Sequence, residues 1–303
     1  MLAFSAVFLV WGSTYLAIEV AVGSIPPLLL MGIRSTLAGG ALYAWSRLRG
    51  GERPASGQWR TSLLVGALFF LVGHGGLAWA ETRVPSGVAA LIFATMPIWV
   101  VVLGGREIGS PFQILSAMLL GMIGVLILVG PPALMGGQAV DPTGAFVLIL
   151  AAFSWAVASV LARRVERAAS TILATGMDLL AGGALLLLAS LASGEPATLG
   201  REALTLPPVV SVLYLVLFGS ILTLTAYNWL LRNTTLPRAS SYVYVNPVVA
   251  IAAGWAFGGD ALTPRVVAAA AVLILAVVLI MAAPPARPGA RAQRDLEPVQ
   301  SRT

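Results

Sequence analysis

Long apolar runs make up most of the chain, and short polar connections separate them. Ten windows each hold about 20 mostly apolar residues, the length that a helix needs to cross a bilayer. They lie at residues 2–22, 27–46, 61–80, 86–104, 111–130, 143–162, 171–191, 209–231, 239–257 and 264–283. The runs are continuous and do not alternate as membrane strands do. The pattern therefore predicts an all-α integral membrane protein with ten transmembrane helices.

The composition excludes several classes of soluble and metal-dependent protein. Apolar residues make up 58% of the chain and charged residues only 10%, whereas soluble domains average about 25% charged residues. There is no Cys, every basic residue is Arg, and His74 is the single histidine. Thiolate metal sites and phosphate-binding loops that need Lys are therefore excluded. We expect no enzymatic activity, no cofactor and no metal.

The distribution of Arg predicts how the helices are oriented. One set of connections, which includes both termini, carries fourteen Arg residues. They are Arg47, Arg49, Arg53, Arg60, Arg106, Arg163, Arg164, Arg167, Arg232, Arg238, Arg287, Arg291, Arg294 and Arg302. The opposite connections carry Arg83, Arg201 and Arg265. The positive-inside rule places both termini in the cytoplasm of a multi-pass inner (cytoplasmic) membrane protein. Because these Arg residues lie between apolar segments and do not form a basic domain, we expect no nucleic-acid partner.

The two ends of the chain have different characters. The first window lacks a basic leader and contains Glu19, so we interpret it as a retained helix and not as a signal peptide. Residues 284–303 are rich in Pro, Arg and polar side chains, which predicts a disordered cytoplasmic tail.

Four short patterns recur in the same order about 150 residues apart. Leu-Ala-Gly-Gly-Ala-Leu occurs at 37–42 and 180–185, and Trp11 is matched by Trp155. Met-Pro at 96–97 is matched by Asn-Pro at 246–247, and Gly-Arg-Glu at 105–107 by Gly-Gly-Asp at 258–260. Since each unit would contain five helices, an odd number, the second copy must insert upside down. We expect residues 1–130 and 131–283 to form two inverted five-helix repeats, an architecture suited to alternating access.

Three ionisable residues within the predicted helices are candidates for gating or coupling, because charge inside a membrane is costly. Glu19 and Arg34 lie near the same outer end of consecutive helices and could form either a structural ion pair or an outer gate. Asp178 lies near the middle of helix 7 with no obvious partner in the sequence. It could carry a coupling proton or serve as a neutral hydrogen-bonding group.

His74 and two prolines mark a candidate site in the membrane interior. His74 is flanked by glycines, so a ligand could approach it closely, although a neutral structural histidine satisfying a carbonyl fits the same pattern. Pro97 and Pro247 each remove a hydrogen bond from a predicted helix. Paired helix breaks in matching halves are typical of transporter binding sites.

Aromatic and polar side chains along the predicted helices could line a cavity for an amphiphilic solute. Trp11, Tyr15 and Glu19 share one face of helix 1 at a spacing of four residues. Packing in the core or against lipid is the alternative for each aromatic residue. With His74, the candidate substrate-binding residues are Trp11, Tyr15, Thr95, Trp99, Trp155, Tyr227, Tyr244 and Asn246.

The sequence resembles the EamA-type drug/metabolite transporter superfamily. The resemblance rests on Val10-Trp-Gly-Ser-Thr14, on Arg34, on Val84 to Pro97 and on the Gly-Arg-Glu turn at 105–107, and it covers residues 1–283. Within the superfamily it is most similar to the YddG-type amino-acid exporters. The second half departs from the pattern at two positions. Ala156 follows Trp155 where the family's first helix has Gly after Trp, and Asp260 stands where the first half has Glu.

The resemblance implies a secondary transporter that exports small metabolites through the cytoplasmic membrane, with aromatic or neutral amino acids as the first candidates. The expected partners are a small-molecule substrate and the lipid bilayer. The alternatives are an exporter of drugs or other metabolites, a channel, or a lipid flippase. An intramembrane protease is disfavoured, because Ser86 and Asp260 lack the glycine patterns that such enzymes require.

Overall fold

The structure is a computed structural model that describes residues 2–84, 89, 92–104, 111–135, 141–253 and 263–283. All regular structure within these residues is helical. In chain order, the longer helices are α1 (2–22), α2 (Pro27–Leu48), α3 (Ser56–Glu81), α4 (Met96–Gly104), α5 (Pro111–Met135), α6 (Pro142–Arg164), α7 (Thr171–Ala192), α8 (Leu206–Asn233), α9 (Tyr242–Ala253) and α10 (Pro264–Ala282). Short helical turns at Glu195–Thr198, Arg201–Leu204 and Leu236–Ser240 lie in the connections.

The helices agree with the apolar windows and confirm the all-α prediction. Among the described residues, α3, α6, α7, α8 and α10 are each long and apolar enough to cross a membrane. Helix α4 is described over nine residues only, so the count of ten crossings stays a prediction, as does the side of each terminus. The motifs at 105–107 and 258–260 and the tail at 284–303 lie outside the described residues.

Several helices begin where a polar cap precedes a proline. The Asp141 carboxylate accepts a hydrogen bond from the amide of Thr143, 3.0 Å away, just before Pro142 begins α6. Thr263 caps α10 in the same way. Proline suits the first helical position because its missing N–H would have no partner there, and the cap satisfies a neighbouring amide.

The two copies of the repeated hexapeptide pack against each other where α2 crosses α7. A Cβ atom on Gly39 would lie 2.6 Å from the Leu180 amide nitrogen, and one on Gly183 would lie 2.7 Å from the Thr36 amide nitrogen. The two backbones approach so closely that only glycine fits at either position. The α2–α7 contact is the most extensive between any two elements of the described part.

The ends of α2 and α7 are also tied together reciprocally. The Glu195 carboxylate, just beyond α7, accepts hydrogen bonds from the Leu28 and Leu29 amides in the first turn of α2, at 3.2 and 2.7 Å. The Glu52 carboxylate, just beyond α2, accepts one from the amide of Ala169, 3.1 Å away and just before α7. Carboxylates stabilise helix N-termini because the amides there are unpaired and the local dipole is positive.

Other large contacts also join helices from the two halves of the chain. Helix α5 packs on α10, α3 on α6 and α1 on α8, while α4 and α9 pack on α6 and α1 respectively. Wide π-helical turns interrupt α3 at Ala67–Gly75 and α8 at Leu215–Leu222. Such turns free backbone carbonyls, which need partners inside a membrane protein. Ser154 of α6 accordingly donates to the Leu68 carbonyl at 2.9 Å.

Candidate functional site

A cavity of about 420 Å³ lies among α1, α2, α3, α6 and α9. Its lining runs along α1 from Trp11 to Val22, a distance of roughly 16 Å at 1.5 Å per residue, and includes Glu81 at the end of α3. The cavity therefore extends from the middle of the helices to the ends that the Arg distribution places on the outer side.

The inner end of the cavity is formed by an aromatic cluster, which we define as Trp11, Phe69, Trp155, Tyr227 and Tyr242. The Trp11 ring centroid lies 4.6 Å from that of Tyr242, 5.3 Å from Tyr227 and 6.0 Å from Trp155. Phe69 meets Trp155 edge-on at 4.8 Å. Such tilted arrangements are favourable between rings. The cluster gives the cavity a rigid apolar base.

Hydrogen bonds to the backbone and to a neighbouring helix fix two members of the cluster. The Trp11 indole Nε1 donates to the Gly219 carbonyl at 3.1 Å, within the π-helical turn of α8. The Tyr227 hydroxyl lies 2.8 Å from the Ser159 hydroxyl of α6. Tyr227 is buried beneath the cavity and is not part of its lining. Its contribution is to hold Trp11 and Tyr242 in place.

Arg34 places a buried positive charge in the cavity wall. Its side chain is 3% exposed, and its Nε donates to the Ser220 hydroxyl at 3.1 Å. The two terminal nitrogens contact the Gly219 carbonyl at 3.4 Å and the Met31 sulfur at 3.7 Å. Among the side chains that the structure describes, no carboxylate lies within 4 Å of this guanidinium. The guanidinium is therefore held in a fixed orientation by neutral groups of the described residues.

His74 and Asn246 bring polar atoms to the same cavity. His74 lies in the π-helical turn of α3, with its ring centroid 4.8 Å from that of Trp155. Within the described part of the chain, neither His74 Nδ1 nor Asn246 Oδ1 has a hydrogen-bond partner, although both atoms are buried. Buried polar atoms without partners are uncommon and are often completed by a ligand or by water. A solute in the cavity could bond to both.

Four predicted binding residues lie outside the cavity lining, namely Tyr227, described above, and Thr95, Trp99 and Tyr244. The Thr95 hydroxyl donates to the Ile92 carbonyl at 2.7 Å, and Trp99 packs edge-on against Phe153 at 5.4 Å. Tyr244 is fully buried on the far side of α9, where its ring fills the space left by Gly121 of α5. The structure thus gives these residues partners within the protein and places them outside this cavity, and their role in binding stays a prediction.

The two prolines differ in their placement. Pro97 is the second residue of α4 and follows a turn at residues 94–95, which separates α4 from the helical residues 92–93. Pro247 lies within α9, directly after the cavity residue Asn246. Pro97 thus lies beside a break between helical residues and Pro247 lies inside a helix, and their role as hinges stays a prediction.

Asp178 has a partner that the sequence did not reveal. It forms a buried ion pair with Arg167 from the connection between α6 and α7, which corrects the expectation of an isolated carboxyl. Neither residue is part of the cavity lining. The side chains of Tyr15 and Glu19 lie outside the described part of the structure.

The spacing along α1 explains which cavity residues sequence reasoning missed. The lining face carries Trp11, Thr14, Ile18 and Val22, which follow a spacing of three, four and four residues, as one helical face does. The predicted face followed a strict spacing of four from Trp11 and therefore passed over Thr14, Ile18 and Val22. Further lining residues absent from the predicted set are Met31, Glu81, Phe93 and Tyr242.

Comparison with known proteins identifies the family. The EamA-like transporter family matches residues 1–130 and 142–282. The chain is 36% identical over 264 residues to the uncharacterized inner membrane transporter YedA of Escherichia coli K12, across 86% of this chain and 83% of that protein. It is 28% identical over 276 residues to a probable amino-acid metabolite efflux pump of Salmonella typhimurium, across 87% and 88%.

A solved crystal structure shares the fold, with a TM-score of 0.73 over 92% of this chain and 95% of the other, at 21% identity. The similarity to YedA and the membrane-length helices confirm the predicted location, a multi-pass protein of the inner membrane. The finer likeness to YddG-type exporters stays a prediction. The chain belongs to the EamA-like transporter family.

Proposed function

We propose that the protein is a secondary transporter that exports small amphiphilic metabolites, with neutral and aromatic amino acids as its substrates, by alternating access. The observation that carries this proposal is the buried guanidinium of Arg34 in the wall of a cavity with an aromatic base. A charged group and apolar rings in one enclosed space match a solute with a carboxylate at one end and an apolar side chain at the other.

The electrostatics of Arg34 favour a carboxylate ligand. Keeping a guanidinium out of water is costly, and a ligand carboxylate would offset part of that cost on binding. Arg also presents a planar set of N–H donors that fits both oxygens of a carboxylate. The existing bonds to Ser220 and Gly219 hold the guanidinium in place, so little conformational entropy would be lost when the ligand binds.

The aromatic cluster would select the rest of the solute. Trp11, Trp155 and Tyr242 can cover an apolar or aromatic side chain, while His74 and Asn246 offer hydrogen bonds to an amino group or a hydroxyl. The printed name of the Salmonella relative, a probable amino-acid metabolite efflux pump, supports amino acids as the first substrates to test.

Alternating access requires two halves that can exchange conformations, and we propose that residues 1–130 and 131–283 are these inverted halves. The reciprocal caps by Glu52 and Glu195, with the α2–α7 crossing of the repeated hexapeptide, support that arrangement. The family match also falls in two stretches of similar length. With the termini in the cytoplasm, the cavity in this structure would face the outside.

Transport in proteoliposomes tests the proposal. Purified protein would be reconstituted, and the uptake of radiolabelled phenylalanine, leucine and alanine measured with and without the same amino acid inside. We expect saturable uptake that accelerates with internal substrate, as a carrier requires. Flux that rises linearly with concentration would indicate a channel. The absence of any amino-acid flux would contradict the substrate assignment and direct the search to drugs and lipids.

A further inference from the structure

The second polar centre of the protein lies at the opposite end of the helices from the cavity. Arg167, in the connection between α6 and α7, forms an ion pair with Asp178, two turns into α7. The two side chains are 4% and 1% exposed. A buried pair of this kind is costly to desolvate and is therefore weak evidence for a purely stabilising role.

Hydrogen bonds extend the pair to α8. Arg167 also donates to the Asn228 side-chain carbonyl at 3.4 Å. Asn228 in turn donates to the Thr175 hydroxyl of α7 at 2.9 Å. Helix α3 reaches the same place, because a Cβ atom on Gly66 would lie 2.6 Å from the Asp178 carbonyl oxygen. The ion pair thus sits where α3, α7 and α8 meet.

The α6–α7 connection is fastened across these helix ends. Arg232 of α8 donates to the Ala168 and Ala169 carbonyls at 2.9 and 2.7 Å, and Glu52 accepts from the Ala169 amide at 3.1 Å. Beneath the connection, Ala168 packs with Ala174 and Met177 of α7 in a buried apolar cluster. The connection closes the predicted cytoplasmic end of the protein, whereas the cavity reaches the other end.

We propose that Arg167 and Asp178 form the cytoplasmic gate of the transport cycle, closed in this conformation, and that they separate when the site opens to the cytoplasm. This inference rests on the proposed alternating-access transport. When the α6–α7 connection lifts, water reaches both charges and replaces the ion pair by hydration. Hydration would also reach Arg167 Nε and Asp178 Oδ1, which are buried without a hydrogen-bond partner among the described residues of the closed arrangement. A contact with two discrete arrangements is what a conformational switch requires.

The register of the repeat supports this role. Asp178 lies two residues before the hexapeptide at 180–185, and Arg34 lies three residues before the hexapeptide at 37–42. The two halves therefore carry opposite charges at nearly equivalent positions along α2 and α7. These two positions lie toward opposite ends of the protein. Arg34 lines the open cavity, while Asp178 is held by the closed connection.

The natural absence of cysteine allows the gate to be tested by labelling. One reporter is Ala174→Cys, beneath the connection and 1% exposed; the other is Ala78→Cys in the cavity wall, 5% exposed. A membrane-impermeant maleimide is applied to the cytoplasmic face of inside-out vesicles and to the outer face of right-side-out vesicles. The labelling rates of the two reporters then measure access from each side.

The informative variant is R167Q/D178N, which removes both charges and leaves neither one buried alone. We expect Ala174→Cys to react about tenfold faster from the cytoplasmic face and Ala78→Cys to react more slowly from the outer face, because the population shifts between states. Arg167→Lys retains the charge and should keep both rates near the native values. Arg60→Gln, an exposed arginine of α3 outside this network, is the matched control and should change neither.

Unchanged rates in R167Q/D178N would overturn the gate. Faster labelling of both reporters would also overturn it, since that result indicates a loosened fold and not an exchange of access. The readout uses no substrate, so it is independent of the amino-acid assignment. A shift in the labelling rates without amino-acid flux in proteoliposomes would support the gate and contradict the substrate assignment. Amino-acid flux without a shift in the labelling rates would support the substrate assignment and contradict the gate.

Discussion

The Tyr244 hydroxyl lies 3.3 Å from the carbonyl oxygen of Ala94 and donates a hydrogen bond to it. The Met118 carbonyl, 3.2 Å away, shares the same donor. Ala94 is in the turn before α4, and the Ile98 amide, four residues later, donates to the Thr95 carbonyl at 2.9 Å instead. Tyr244 thus satisfies a helix break in one half of the chain from a helix of the other half.

We expect Tyr244→Phe to destabilise the protein without changing substrate affinity. The substitution leaves two buried carbonyls without this donor, at a cost of about 1–3 kcal/mol in the free energy of unfolding. The matched control is Tyr43→Phe, because the Tyr43 ring packs on Trp59 at 5.6 Å and its hydroxyl has no hydrogen bond among the described residues. Thermal unfolding in detergent should separate the two variants. Equal unfolding temperatures would refute the role given to the Tyr244 hydroxyl.

Two adjacent glycines in the repeated hexapeptide should respond oppositely to alanine. Gly39→Ala would drive a methyl group to 2.6 Å from the Leu180 backbone nitrogen, whereas a Cβ atom on Gly40 meets nothing within 4 Å. We expect Gly39→Ala to cost about 1–3 kcal/mol through overpacking. Gly40→Ala should be neutral or stabilising by up to about 1 kcal/mol, because alanine favours the helix. A similar loss of stability in both variants would argue against the α2–α7 crossing.

The cap that Glu195 supplies to α2 should be measurable. Glu195→Ala removes the acceptors of two amides at the start of α2 and of the Ser190 hydroxyl, 2.8 Å away. Loss of a helix cap costs about 1 kcal/mol. Glu202→Ala removes an exposed carboxylate from the same α7–α8 connection and is the control. The two variants should differ in unfolding temperature, and their agreement would show that the cap contributes nothing.

Hydropathy predicted most of the fold because a bilayer imposes a minimum length on apolar helices. The apolar window predicted at 171–191 corresponds to the helix Thr171–Ala192, and the window at 264–283 corresponds to the helix Pro264–Ala282. The sequence analysis treated the hexapeptide as a sign of a repeat and did not predict that its two copies meet, although the small residues are what allow the two backbones to approach. The π-helical turns at Ala67–Gly75 and Leu215–Leu222 had no sequence signal, because side chains from other helices satisfy their carbonyls.

The residue types in the site were predictable from the sequence, but the helix faces that line the cavity were predictable only in part. Trp11, Arg34, His74, Trp155 and Asn246 all line the cavity. Tyr244 and Trp99 have the same chemistry but lie elsewhere, since hydropathy does not say which face of a fully apolar helix meets a neighbour. Asp178 looked isolated for a related reason. Its partner Arg167 comes from a connection, and only the folded chain turns that side chain inward.

The central claim, recognition of a carboxylate by Arg34, is tested most directly by competition between each transported amino acid and its amide. The amide keeps the amino group and the side chain but lacks the negative charge. Competition would be measured in proteoliposomes with the native protein, with Arg34→Gln and with Arg83→Gln. Arg83 lies outside the cavity, over the Trp79 ring at 4.3 Å.

We predict that the native protein and Arg83→Gln prefer the amino acid by about tenfold or more, because a charge-assisted bond to a buried guanidinium is lost with the amide. Arg34→Gln should bind the two compounds about equally. An amide that competes as well as its amino acid in the native protein, or an undiminished preference in Arg34→Gln, would contradict the account.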